Sequence, residues 1–272
     1  MTAKAHSPDP TSSLLAFFGS ELRRVRTKAG KSQGDTAKLA HTTQAMISYV
    51  EAARRVPSED LARDLDEAFG TGGHFMRLHP LVIKFAYPSW FLPFVQLERD
   101  ATSIRSFQAQ VIPGLLQTEE YARAVLASAR PDNLDDLVAA RLTRQDLFDR
   151  CPQPRTWFVM DEYALARSFA PPDVMRPQFE HLLQAGERPR TVIQVVPRNA
   201  PPHPGLAGPF TLLSFDEGSD LLHVDGFSQG WTVLEAGDVS AAAHAYDLIR
   251  AAALSPKASA DLIGAHLKEL GA

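Results

Sequence analysis

Gln44, Ala45 and Ser48 stand at helical spacing in the segment SQGDTAKLAHTTQAMISYVEAARRVP, residues 32–57, which ends in the basic pair Arg54–Arg55. A glutamine amide carries a donor beside an acceptor and can bond bidentately to the edge of adenine. An alanine methyl can meet the thymine methyl, and a serine hydroxyl can serve either strand. Guanidinium groups pair with phosphate oxygens through fixed, forked donors. This is the chemistry of duplex DNA readout, with base edges read from the first turn of a helix and phosphates gripped on its flanks. Gln44 is the expected base reader, with Ala45 and Ser48 beside it. Gln33, Thr43, Tyr49, Arg54 and Arg55 are the expected phosphate contacts. The plainer alternatives are an exposed helix-start residue for Gln33 and a solvated pair at a helix end for Arg54–Arg55.

Such side chains need helices to carry them, and the flanking pattern supplies them. Ser13 can cap a helix over residues 14–29 with Leu15, Phe18 and Leu22 on one face, and Gly30 stops it. Ser32, with Asp35 three residues on, forms a capping box for a helix through residue 40. Thr43 caps a third helix over residues 44–53 that buries Ile47 and Val50. Pro57-Ser58 opens a fourth over residues 59–69, and a fifth is expected over about residues 74–83. Glu51 reads as a structural ion-pair partner of Arg26 or Arg23. The expected organisation is a disordered tail (residues 1–13), an all-α helix-turn-helix domain (14–73), a linker (74–88) and a second domain (89–272).

Net charge is −4 over 272 residues, and its distribution matters more than its total. Residues 14–57 hold eight basic and three acidic side chains, while residues 1–13 balance, leaving −9 for residues 58–272. A basic head on an acidic body suits contact with phosphates at one end only. Hydrophobic content of 44% and charged content of 22% are those of a globular chain. Cys151 stands alone, which excludes an intramolecular disulfide. No apolar run has signal-peptide character, and the most apolar window (residues 81–95) is broken by Lys84, Pro88 and Pro93. No membrane association and a cytoplasmic location are expected.

Beyond residue 89 the pattern alternates. Helices are expected at residues 89–102, 118–129, 134–150, 173–184, 238–254 and 256–270. Extended segments are expected at 104–112, 156–160, 191–196, 210–215, 221–224 and 231–234. Turns at Asp216-Glu217-Gly218 and Asp225-Gly226 predict hairpins, and hence an α+β domain with a small antiparallel or mixed sheet. The nine scattered histidines show no metal spacing, so no metal or cofactor is expected. His203 reads as part of a rigid exposed loop, and Asp161-Glu162 as caps on a following helix rather than an acid/base pair. Phe85, Tyr87, Trp90, Phe91 and Phe94 form an aromatic band, read as interdomain packing, with a ligand or partner groove as the sharper alternative.

Residues 17–69 resemble the XRE (lambda-repressor-like) helix-turn-helix family through Leu22-Arg23-x-x-Arg26, Gly30-x-Ser32-Gln33, Leu39-Ala40, Ile47-Ser48-x-x-Glu51 and Arg55-x-Pro57-Ser58. Residues 90–267 resemble the domain of unknown function that follows this head in actinobacterial antitoxin-like regulators. The carrying motifs there are Leu97-Glu98-Arg99-Asp100-Ala101-Thr102, Ile112-Pro113-Gly114-Leu115-Leu116-Gln117-Thr118-Glu119-Glu120-Tyr121, Asp161-Glu162-x-Ala164-Leu165 and His203-Pro204-Gly205-x-x-Gly208-Pro209-Phe210. The chain departs from the family at His41 and Ala53, where glycine is usual and where positive φ is often required.

The residues and the resemblance imply a sequence-specific, DNA-binding transcriptional regulator, homodimeric, whose C-terminal domain binds a ligand or a small partner protein encoded nearby. An alternative is an antitoxin that neutralises a cognate partner and binds DNA to regulate itself. A third reading, an enzyme targeted to DNA, lacks any complete catalytic constellation.

Overall fold

The computed structural model describes residues 8–167, 169–226 and 229–270. Of the tail expected to be disordered, residues 1–7 lie outside the described residues. In chain order the helices are α1 (Leu14–Lys28), α2 (Gln33–Leu39), α3 (Gln44–Glu51), α4 (Glu59–Phe69), α5 (His74–Ala86), α6 (Leu92–Asp100) and α7 (Glu119–Ala127). There follow α8 (Leu134–Thr143), α9 (Tyr163–Ala166), α10 (Pro172–Gly186), α11 (Ala236–Ala252) and α12 (Pro256–Glu269). The strands are β1 (Ser103–Gln108), β2 (Arg155–Asp161), β3 (Thr191–Val196), β4 (Phe210–Ser214), β5 (Leu221–Val224) and β6 (Trp231–Val233). Two compact units result. One joins the chain up to Ser89 with Leu126–Thr143, and the other joins Trp90–Val125 with the chain from Arg144 onward.

The first unit is all-α, and its short helices begin and end by a repeated device. Ser13, Ser32, Thr43 and Ser58 each accept the backbone N–H three residues ahead, all at 3.1 Å. Asp35 returns the bond to Ser32, completing the expected capping box. The chain leaves α1 to α4 through left-handed residues, at Gly30 (φ 65°), His41 (φ 49°), Ala53 (φ 55°) and Gly70 (φ 61°). Behind α3 the geometry is a Schellman motif. Ala53 N–H reaches the Val50 carbonyl (3.1 Å) and Arg54 N–H the Tyr49 carbonyl (2.8 Å). His41 and Ala53 thus keep the glycine conformation without glycine, at a cost of about 1 kcal/mol each. Leu15, Phe18, Leu22, Ile47, Val50, Leu65 and Phe75 are fully buried.

α8 belongs to this unit, although its sequence position suggested the second domain. The helix expected over residues 134–150 stops at Thr143 and tightens into a 3-10 stretch, Arg144–Asp149. Arg144 is held bidentately by Glu98 at 2.7 Å per bond within the second unit, and this anchors the chain where the helix ends. On the head side, Tyr87 donates its hydroxyl to the Ala140 carbonyl (3.1 Å). Asn133 donates to the Phe85 carbonyl (3.2 Å), and the Ser13 hydroxyl bonds the Asp136 carboxyl.

The second unit is α+β. Its six-stranded mixed sheet runs β3-β2-β1-β4-β5-β6, parallel across β3, β2 and β1 and antiparallel from β1 to β6. Side chains alternate between faces with period two. Ile104, Phe158, Met160, Ile193, Val195 and Leu213 share a core with Met175, Phe179 and Leu182 of α10 and Ile263 of α12. Phe107, Val159, Val196 and Leu212 pack with Val239, Tyr246 and Ile249 of α11 on the other face. The β3 edge is closed from outside. Leu254 N–H bonds the Val195 carbonyl (2.9 Å), and the Ser259 hydroxyl takes the Val195 N–H (3.0 Å). The β4–β5 and β5–β6 pairs are the hairpins expected from the turn residues.

One buried carboxylate in the head has a pH signature. α5 starts at Gly73 with no side-chain cap of its own, and Asp66 of α4 accepts the N–H groups of Phe75 (3.0 Å) and Met76 (2.9 Å) and the Thr71 hydroxyl. Burial alone would raise the Asp66 pKa, but these three donors outweigh it and hold the group below its usual value. A depressed carboxylate adds stability above its unfolded pKa and loses it as pH falls through the folded one. Asp66→Asn is therefore expected to cost about 1–3 kcal/mol at pH 7. In urea titrations the difference from wild type should shrink below about pH 4; an unchanged difference would show that the carboxylate charge contributes nothing.

Candidate nucleic-acid interface

The surface that carries the predicted DNA-contacting residues rests on a buried charge. Glu51, the last residue of α3, is 1% exposed. Arg26 of α1 donates to it twice, Nε to Oε1 at 2.5 Å and Nη2 to Oε2 at 3.0 Å. Gln33 of α2 donates its amide to Oε2 at 2.9 Å, and the Arg23 Nε lies 3.4 Å from the same oxygen. A third guanidinium nitrogen of Arg26 reaches the Lys31 carbonyl at 2.9 Å. The hydrogen bond to Glu51 raises the Arg26 pKa further, so the guanidinium keeps its charge. One carboxylate thereby ties α1, α2 and α3 together, with both expected arginine partners engaged.

Gly19 makes the closeness of α1 and α3 possible. A Cβ there would lie 2.4 Å from the Val50 carbonyl oxygen, a backbone atom that cannot step aside. Glycine at 19 is required by this approach, a need no local pattern in α1 reveals.

With the inner side fixed, the outer side follows from helical spacing. Gln44 and Ala45 in the first turn of α3 are exposed and Ser48 is half-buried, one turn along the same side. The Gln44 Oε1 lies over the start of α2, 3.7 Å from where a Gly34 Cβ would stand. Thr43 accepts the Met46 N–H with its hydroxyl oxygen, which leaves the hydroxyl proton to donate elsewhere. Tyr49 is 40% exposed and is flanked by the guanidinium carbons of Arg54 and Arg55, 6.0 and 5.2 Å from its ring centre. Arg55 also donates to the Arg54 carbonyl (3.1 Å). Thr43, Gln44, Ala45, Ser48, Tyr49 and the arginine pair are thus gathered on α3 and its C-terminal corner. Gln33 differs, since its amide nitrogen is turned inward to Glu51.

Three other features sit differently from the sequence expectation. His203 lies in a loop whose Pro201, Pro202 and Leu206 are exposed, but its own side chain is turned inward. Its side chain is 7% exposed, set edge-on against Phe107, with Nε2 4.0 Å from Asp161. Gly205 permits this, because a Cβ there would overlap Phe107. Of the two expected caps, Asp161 does accept the Tyr163 N–H (2.9 Å). Glu162 instead receives the backbone and side chain of Arg198, at 2.9 and 2.7 Å. The aromatic band divides, with Tyr87 buried in the first unit and Phe94 buried in the second, where it stacks on His223 at 3.9 Å.

Helix packing, capping and an exposed polar first turn on α3 define a helix-turn-helix protein, and residues 18–77 match the family model described as a helix-turn-helix domain. Residues 91–265 match the domain of unknown function DUF5753, and the chain belongs to that family. Among curated proteins and solved structures, nothing matches the chain. Among the described residues, no helix is long and apolar enough to cross a membrane.

The buried carboxylate yields a graded expectation. Glu51→Gln leaves Arg26 without its counter-charge in a buried site and should cost about 3–5 kcal/mol in denaturant unfolding. Arg23→Gln, which removes the more exposed and more distant partner, should cost less than about 1 kcal/mol. Equal losses would show that Arg26 does not dominate the cluster.

Proposed function

We propose that the chain is a sequence-specific DNA-binding transcriptional regulator of the XRE helix-turn-helix type. The observation that carries this reading is the exposed face of Gln44, Ala45 and Ser48 at the start of α3, a helix held rigidly from behind by Glu51. In this reading Gln44 contacts a base edge, Ala45 a thymine methyl and Ser48 either strand. Thr43, Tyr49, Arg54 and Arg55 contact phosphates, while Gln33 braces Glu51 behind them. No catalytic step and no cofactor enter the reading. The second domain binds a ligand or a small partner protein, on the ground of the resemblance to antitoxin-like regulators.

One helix-turn-helix head covers too few base pairs to single out a genomic site, and such heads work in pairs on half-sites about one helical turn apart. We therefore assign the protein a homodimeric state held by the second domain. The sheet supports this. On the β3 edge Val195 is hydrogen-bonded from outside, whereas β6 borders no further strand among the described residues, and Trp231 in it and Leu234 just after it are 53% and 65% exposed. Light scattering of the full-length protein should return twice the chain mass, and a monomer at micromolar concentration would remove the dimer from the reading.

The DNA assignment is tested by selecting duplexes from a random pool with the full-length protein. On the selected site, Gln44→Ala should weaken binding by about 1–3 kcal/mol, because it removes a base contact and no charge. On a scrambled duplex the same variant should bind as wild type. Equal loss on both would exclude Gln44 as the base reader.

A further inference from the structure

The corner that carries Arg54 and Arg55 is fastened at both ends. On the α3 side the Schellman motif at Ala53 sets the path of Arg54. On the α4 side the fastening comes from far away in sequence. The N–H of Val56, a buried residue directly after Arg55, donates to Thr143 Oγ1 at 2.9 Å. Thr143 is the last residue of α8, and its own hydroxyl proton goes to the Ala139 carbonyl at 2.7 Å. With its proton committed along the helix, the hydroxyl presents a lone pair to Val56 and has no reason to rotate away. His79 of α5 adds a bond to the Pro57 carbonyl at 3.1 Å.

We propose that α8 is a working part of the DNA-binding head and that Thr143 is a positioning residue for the Arg54–Arg55 phosphate grip. This rests on the reading of the head as DNA-binding. The hydroxyl touches neither arginine. It holds the backbone one residue beyond them, and a buried N–H that loses its acceptor shifts toward another one, carrying Arg55 and Arg54 off the position set by Tyr49. The chain enters α8 from α7 and leaves it through the Arg144–Asp149 turn, so a segment far from residues 54–57 in sequence reaches directly into the grip.

The test uses the full-length protein, the duplex selected from a random pool and a scrambled duplex of equal length. Thr143→Val keeps the shape and removes the acceptor, whereas Thr143→Ser keeps the acceptor. Thr143→Val should weaken binding to both duplexes by the same factor. It should also flatten the plot of log affinity against log salt by about one to two units, one for each phosphate that is no longer neutralised. Thr143→Ser should restore the wild-type slope.

A purely structural role is separated by a double-variant cycle. If Thr143 acts through the arginines, Thr143→Val added to Arg54→Gln/Arg55→Gln should weaken binding no further, because the grip is already absent. This comparison holds even where Thr143→Val lowers stability, since affinity is taken per folded molecule measured by circular dichroism. An unchanged salt slope in Thr143→Val, or full additivity in the cycle, overturns the proposal while leaving the DNA-binding reading intact. Wild-type protein that binds neither duplex overturns that reading and this proposal with it.

Discussion

The geometry of the exposed α3 face depends on a single buried carboxylate. Glu51 closes α3 inside the head, where an unpaired charge would be costly, and it draws Arg26, Arg23 and Gln33 from two other helices to satisfy it. Because α2 has seven residues and α3 eight, neither holds its own conformation by propensity. Their stability and orientation come from caps, from the α1–α3 approach at Gly19 and from this shared anion. The angle at which Gln44 leaves the surface is therefore set on the buried side of the helix, opposite its exposed face.

The corner behind α3 shows how local strain is carried by non-local support. Ala53 sits in a conformation that glycine would take freely, as does His41 after α2. Nothing in the adjacent sequence relieves Ala53, whose two Schellman bonds only describe the strained turn. The restraint on the segment that follows comes from Thr143 and His79. A helix drawn from the middle of the chain thus holds the part of the head that bears Arg54 and Arg55.

The second unit distributes its polar groups by the same logic. Glu98 and Arg144 satisfy each other almost entirely out of water, with the guanidinium laid over Phe91 and Phe94. Glu162 is paired with Arg198, and the Ile112 turn is fastened by the Tyr121 hydroxyl (3.1 Å) and the Gln117 amide (2.7 Å). Most of these residues fall in the motifs that mark the family resemblance, and in the structure they pair within their own unit. Among the large apolar side chains left exposed are Trp231 and Leu234 at the β6 edge.

Much of this was legible in the chain alone because it depends on neighbours a few residues apart. Ser13, Ser32, Thr43 and Ser58 mark helix starts, the 3.6-residue spacing of Leu15, Phe18 and Leu22 marks a buried face, and the hairpins around Gly218 and Gly226 declare antiparallel strands. The basic head and the α+β body follow from the same local patterns, as does the pairing of Glu51 with Arg26. The tertiary structure alone decided that Gly19 is a contact point, that Gln33 turns inward, that the His203 side chain is tucked against Phe107, and that α8 joins the head. Each of these depends on a partner distant in sequence, as Val56 and Thr143 are, and hydrophobic period and capping chemistry carry no information about which distant segment will arrive. Local propensity chose the elements; the need to satisfy buried charges and N–H groups chose their partners.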